Sequence, residues 1–156
     1  DSSKKIYVTR QDSNYRKIIN ESDVVTLLRE KGYKVINPQL YEIDEQIEIF
    51  SNAEKIIAPY GSNLANISFC NTGTEIFEIT PSFQENEKIF NDRYVNLSSI
   101  NKLKHHQILS DTVDVENHSE LAKKYIHPNV LDQSNYYKNL LVKIKDLKEI
   151  VWSTFF

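Results

Sequence analysis

Short apolar runs and amphipathic stretches alternate along the first two-thirds of this chain. Lys5-Ile6-Tyr7-Val8 is a β-prone run, and it gives way at Thr9-Arg10 to the polar segment Gln11-Asp12-Ser13-Asn14-Tyr15-Arg16, which reads as a loop. Asn20-Glu21-Ser22-Asp23 opens a helix whose apolar positions Val24, Val25, Leu27 and Leu28 share one face, and Gly32 caps its end. Residues 33–37 form the next strand, closed by Pro38. Ile43, Ile47, Phe50 and Ala53 recur at helical spacing and predict a second amphipathic helix that starts near residues 42–44. Lys55-Ile56-Ile57-Ala58 is a third strand; it runs into Pro59-Tyr60-Gly61-Ser62, and residues 63–69 then read as a short helix. Thr72-Gly73 turns the chain into a fourth strand, Glu75-Ile76-Phe77-Glu78-Ile79, which ends at Pro81.

A helix over residues 90–103 leads to a fifth strand at Gln107-Ile108-Leu109. Residues 110–135 carry the weakest pattern, with a short helix expected around 119–125 and a break at His127-Pro128-Asn129. The chain is expected to end in one long amphipathic helix with Tyr137, Leu140, Leu141, Ile144, Leu147 and Val151 on one side, a face open to a partner, a missing domain or, the favoured use, the chain's own core. Repeated alternation of strand and helix asks for a parallel sheet with helices on both faces. The expected fold class is α/β, a single Rossmann-like domain over residues 1–156. Its core is residues 1–110, and residues 111–156 form a C-terminal extension.

Composition narrows the class further. With 156 residues, 40% hydrophobic and 26% charged, the chain has the make-up of one soluble globular domain. A net charge of −3 argues against bulk nucleic-acid binding. No apolar stretch approaches the ~20 residues of a membrane span, and no secretory signal opens the sequence. Cys70 is alone, which precludes an intramolecular disulfide; inside Ile67-Ser68-Phe69-Cys70 it reads as a small buried filler. Methionine is absent even at position 1, so the chain reads as a piece of something longer. Asn-X-Ser/Thr triplets at Asn20, Asn66, Asn96 and Asn117 read as chance matches in an asparagine-rich sequence.

Ligands of open α/β sheets bind outside the carboxyl ends of the strands. There the sequence places Thr9, Arg10 and Arg16 after the first strand, Tyr60, Gly61, Ser62 and Asn63 after the third, and Glu78 near the end of the fourth. Two arginines suit phosphate oxygens, a glycine at a helix start lets backbone N–H groups face an anion, and a carboxylate can accept from a ribose. Together they describe a nucleoside diphosphate site. Plainer roles stand beside this one: solvated arginines, a glycine serving a positive φ, and a structural carboxylate at Glu78. No G-x-G-x-x-G or Walker pattern occurs. His105 and His106 adjoin the fifth strand, and as neighbours they would point to opposite faces and make a poor metal pair.

The string of residues around these positions resembles the C-terminal half of glycosyltransferase family 61. "TRQDSNYRKIINESDV" is similar to its arginine-bearing opening, and "DEQIEIFSNAEKIIAPYGSNLANISFCNTGTEIFEITP" continues the likeness; it spans residues 4–110. The resemblance implies a GT-B enzyme with this chain as the donor-binding half and the acceptor-binding N-terminal domain absent. It implies sugar transfer from a nucleotide sugar, with inversion, to a saccharide or glycolipid acceptor in bacterial capsular or surface polysaccharide synthesis. No metal or other cofactor is implied, and the expected location is the cytoplasm, with peripheral association at the inner face of the membrane. By this likeness Arg10 and Arg16 contact the diphosphate; Gly61, Ser62 and Asn63 shape the helix start; Glu78 binds ribose or a sugar hydroxyl; and Asn66 faces the ligand or caps the turn. The family commonly has His before the glycine, where this chain has Tyr60, a poor base with a usual pKa of ~10. That departure keeps a second reading open, a non-catalytic binding or scaffolding domain on the same fold. An unrelated flavodoxin-like regulatory domain is disfavoured, because Arg10 stands where an acidic phospho-acceptor is expected.

Overall fold

A strand buried on both faces needs consecutive apolar residues, and the centre of this sheet has them. In the computed structural model, which describes residues 3–13, 15–83, 87–114 and 135–153, Ile6, Tyr7 and Val8 of β1 (Lys5–Val8) are all buried. So is β3 (Lys55–Pro59) from Ile56 onward. These strands form the middle of a five-stranded parallel sheet with β2 (Lys34–Ile36), β4 (Glu75–Thr80) and β5 (Lys104–Leu109), in the order β2-β1-β3-β4-β5. The protein is thus α/β and Rossmann-like, as the alternating pattern predicts.

Helices divide between the two faces. Val24, Leu27 and Leu28 of α1 (Glu21–Glu30) pack on one side with Leu147 and Val151 of α4 (Ile144–Ser153), over Tyr7, Ile57, Phe77 and Ile108. Phe50 of α2 (Ile43–Asn52), Leu64 and Ile67 of the 3-10 helix Ser62–Phe69, and Phe90 and Tyr94 of α3 (Lys88–Ile100) cover the other. The chain therefore leaves β1 toward one face and β3 toward the opposite face. Between those adjacent strand ends the order reverses and a crevice opens.

Several elements differ from the sequence reading. α2 begins where expected, on a capping box between Glu42 and Glu45, yet only half of its apolar stripe is covered. Phe50 is 0% exposed, whereas Ile43 is 58% and Ile47 37% exposed. Strand β5 is longer than its apolar residues suggest, because backbone pairing to β4 runs from Lys104 to Leu109 while Ile108 is its one buried apolar residue. His105 and His106 consequently lie inside the strand, on opposite faces: His105 meets Ser98 and Glu78, and His106 stacks on Phe77 at 4.8 Å. The short helix expected at 119–125 falls outside the described residues.

The single long C-terminal helix is a correction. Residues 137–151 divide into a 3-10 turn (Asn135–Tyr137), the strand β7 (Asn139–Leu141) paired antiparallel with β6 (Asp111–Val113), and α4. Tertiary hydrogen bonds override the helical periodicity here. Leu140 donates to the Lys17 carbonyl and accepts from Ile19 N–H, each at 2.8 Å. Asn20 grips Val142 at both ends, donating to its carbonyl at 2.8 Å and accepting from its N–H at 3.0 Å. Leu140 buried, Leu141 exposed and Val142 buried show the two-residue period of a strand. The stretch still covers the chain's own core, through Leu140, Val142, Leu147 and Val151.

Candidate functional site

At the β1/β3 crevice lies a pocket of about 300 Å³, lined by the loop after β1 (Arg10, Asp12, Ser13, Tyr15, Arg16), by Tyr60, Gly61 and Ser62 after β3, by Arg93 and Tyr94 of α3, and by Tyr136. Three guanidinium groups face one carboxylate in that lining. Of the residues singled out from sequence, Arg10, Arg16, Tyr60, Gly61 and Ser62 are brought together here. Asn63, Asn66 and Glu78 do not line this pocket.

Arg16 is the anchor of the wall. Its backbone φ of +52° lies in the left-handed region, which an L-residue enters at a cost of roughly 1–2 kcal/mol. The side chain holds it there: Nε donates to the Tyr60 carbonyl at 3.1 Å and Nη1 to the Tyr136 carbonyl at 2.9 Å. Its guanidinium carbon lies 4.7, 5.0 and 4.4 Å from the ring centroids of Tyr15, Tyr60 and Tyr136. Arg16 is thereby buried to 3% exposure with no ion pair to a carboxylate among the described residues.

Arg10 is buried beside it. One amino group donates to the Tyr15 carbonyl at 3.2 Å, while Nε is buried and without a partner. Burial and, second, the neighbouring positive charge of Arg16 lower its pKa to about 10. A cation held this way, next to a like charge, favours an incoming anion.

Gly61 owes its identity to Arg10. Its φ of 165° is extended backbone open to any residue, so the positive-φ explanation does not apply. A Cβ at this position would sit 2.0 Å from Arg10 Nη1, 2.8 Å from Cζ and 3.1 Å from Cδ. The glycine lets the arginine side chain lie across the backbone at the end of β3.

Tyr60 serves through its ring and carbonyl. The ring is wedged edge-on between Phe83 and Tyr94, both at 5.3 Å, and the hydroxyl is buried with no partner. Burial drives that phenol further above its ordinary range, in the direction opposite to a base. Cys70 is likewise buried, its thiol pushed up to about 12 by burial, consistent with a filler.

Glu78 belongs to a separate constellation beneath α3. Its Oε1 accepts from His105 Nε2 at 3.0 Å and from Gln107 Nε2 at 3.1 Å. His105 Nδ1 in turn shares a hydrogen bond of 2.7 Å with Ser98 Oγ on α3, and Gln107 donates to the Asn91 carbonyl at 2.8 Å. Glu78, Ser98 and the His105 side chain are all at least 95% buried. Asn66 donates to Gln46 Oε1 at 3.1 Å, which joins the 3-10 helix to α2.

Sequence reasoning missed Tyr15, Arg93, Tyr94 and Tyr136. The helix after β4 enters at the carboxyl edge, and that rule points to Arg93 and Tyr94. Tyr136 has no local signal, since it reaches Arg16 across 120 residues.

No helix among the described residues is long and apolar enough to cross a membrane. No curated protein matches the chain. The family model described as Glycosyltransferase 61 matches residues 1–77, a stretch that contains Arg10, Arg16, Tyr60 and Gly61 and stops before Arg93, Tyr94 and Tyr136. Over that stretch, just under half of its length, the chain is similar to the glycosyltransferase 61 family.

Proposed function

We propose that this chain is the donor-binding half of an inverting, GT-B-type glycosyltransferase, and that the β1/β3 pocket holds the diphosphate of a nucleotide sugar. The observation that carries this reading is the pair of buried arginines, Arg10 and Arg16, held without a carboxylate counter-ion among the described residues at the switch point of a parallel sheet. Fixed cations aimed at the leaving diphosphate stabilise charge that grows in the transition state, and they do so without a divalent ion. Arg10 has the unpartnered N–H for an oxygen, and Arg16, braced by two carbonyls and three rings, holds the wall behind it. The acceptor, a saccharide or glycolipid, and the base that deprotonates it belong in this reading to a further domain. The setting is surface-polysaccharide synthesis at the cytoplasmic face of a bacterial membrane.

Calorimetry with UDP, GDP, CMP and their sugars, with EDTA present, tests the reading. One nucleoside diphosphate binds, and Arg10→Ala weakens it by about 10–100-fold while nucleoside binding is unchanged. No binding at millimolar ligand to the protein carrying its full domain complement, or equal losses for nucleotide and nucleoside, would refute it.

A second reading is favoured by Tyr60, whose buried hydroxyl cannot replace the family's histidine as a base: a domain that binds the donor without transferring it. Intact donor binding with no transfer to any polysaccharide acceptor by the full-length protein distinguishes it.

A further inference from the structure

The three cations of the pocket are not equivalent. Arg10 and Arg16 come from the loop after β1, and the charge of Arg16 is felt directly by Arg10. Arg93 comes from α3, which follows β4 on the other side of β3, and it lines the same pocket. Its charge acts, together with that of Arg16, on the Tyr60 and Tyr94 phenols. The guanidinium lies 5.4 Å from the Phe90 ring, which supports it one turn back on the same helix. Arg93 has no ion pair to a carboxylate among the described residues; the nearby helical pair is Lys88 with Asp92, at 3.8 Å.

The pocket therefore presents two cationic points, the Arg10/Arg16 pair and Arg93, with the end of β3 between them. A single phosphate engages one of these points. Two linked phosphates engage both, and the second gains a charge-assisted hydrogen bond from a side chain already directed into the pocket. α3 is itself fastened from below, because Gln107 donates to the Asn91 carbonyl and His105 shares a hydrogen bond with Ser98, while both also bind Glu78. The helix that carries Arg93 is thus tied to β4 and β5 on either side of that residue.

We infer that Arg93 makes the pocket select a diphosphate over a single phosphate, by supplying the second anion-binding point opposite Arg10 and Arg16. This deepens the donor-site reading and rests on the same pocket. The test uses pyrophosphate and orthophosphate as probes of the whole chain, at matched pH and ionic strength.

Wild type is expected to bind pyrophosphate about tenfold or more tightly than orthophosphate. In Arg93→Ala that ratio falls to within about twofold while orthophosphate affinity is retained, and Arg93→Lys, which keeps the charge, recovers part of it. Wild type without the preference, or an Arg93→Ala protein that keeps it or loses both ligands equally, overturns the inference. Nucleotide titrations separate the two claims. Loss of the pyrophosphate preference in Arg93→Ala, with no nucleoside diphosphate bound by wild type, sinks the donor reading and leaves Arg93 its role. A bound nucleoside diphosphate with an Arg93→Ala ratio equal to wild type does the reverse.

Discussion

Two places in this protein bury charge, and they treat it in opposite ways. At the β1/β3 crevice, Arg10 and Arg16 are buried side by side, with carbonyls and rings around them and no carboxylate paired to either among the described residues. Beneath α3, the Glu78 carboxylate is 0% exposed and is met by His105 and Gln107, which carry its hydrogen bonds on to Ser98 and Asn91. Like charges buried together raise the energy of the empty pocket, and an anion removes that cost. A buried carboxylate met by two donors instead ties β4, β5 and α3 to one another. On the proposed reading the first arrangement is an anion site and the second a structural joint, in which Glu78 Oε2 is buried without a partner; from sequence both looked like ligand residues at strand ends.

The comparison breaks most visibly at the joint. Glu78→Ala leaves His105 and Gln107 without their acceptor, and a loss of about 3 kcal/mol is expected, with a Tm lower by about 10 °C in a calorimetric scan. Binding of orthophosphate, held by Arg10 and Arg16, should change little. The opposite result, an unchanged Tm with phosphate binding abolished, would make Glu78 a ligand residue after all.

A smaller and opposite effect belongs to the crevice. Gly61→Ala places a Cβ where Arg10 now lies, so the guanidinium must shift away from its position across the strand end. Pyrophosphate affinity should fall by roughly tenfold, with a stability change of only about 1 kcal/mol. Unchanged affinity by calorimetry would show that Arg10 does not hold the ligand from this position.

The smallest effect sharpens the role of Tyr60. Its hydroxyl is buried and without a partner, so Tyr60→Phe should leave stability unchanged or raise it by up to about 1 kcal/mol in urea titrations. Diphosphate binding should persist, since the ring and carbonyl that support Arg16 remain. A loss larger than that gain would mean the phenol has a polar role in the folded protein.

Much of the scaffold was legible in the chain. Consecutive apolar residues in β1 and β3, the helical spacing of α1, and Gly32 and Pro38 as stops are local signals, and local backbone preferences met no opposition there. Where opposition existed the reading failed. Leu140, Leu141 and Ile144 suit a helix, yet the backbone of Lys17 and Ile19 and the side chain of Asn20 offered Leu140 and Val142 hydrogen bonds that a helix cannot use. β5 was read short for a related reason: its register with β4 comes from backbone pairing, whereas its side chains are mostly solvated.

The site divides along the same line. Sequence alone determined that arginines and a glycine sit at the carboxyl ends of two strands, because strand ends follow from the alternating pattern; that β1 and β3 are neighbours is decided by the sheet order. Only the tertiary structure decided that Gly61 is small to admit Arg10 rather than to allow a positive φ, and that Tyr60 turns its hydroxyl into an apolar cluster. It also decided that Glu78 is held beneath α3, and that Arg93 and Tyr136 complete the pocket. Each of these depends on which side chains meet across tens of residues or more, and no local pattern encodes such a meeting.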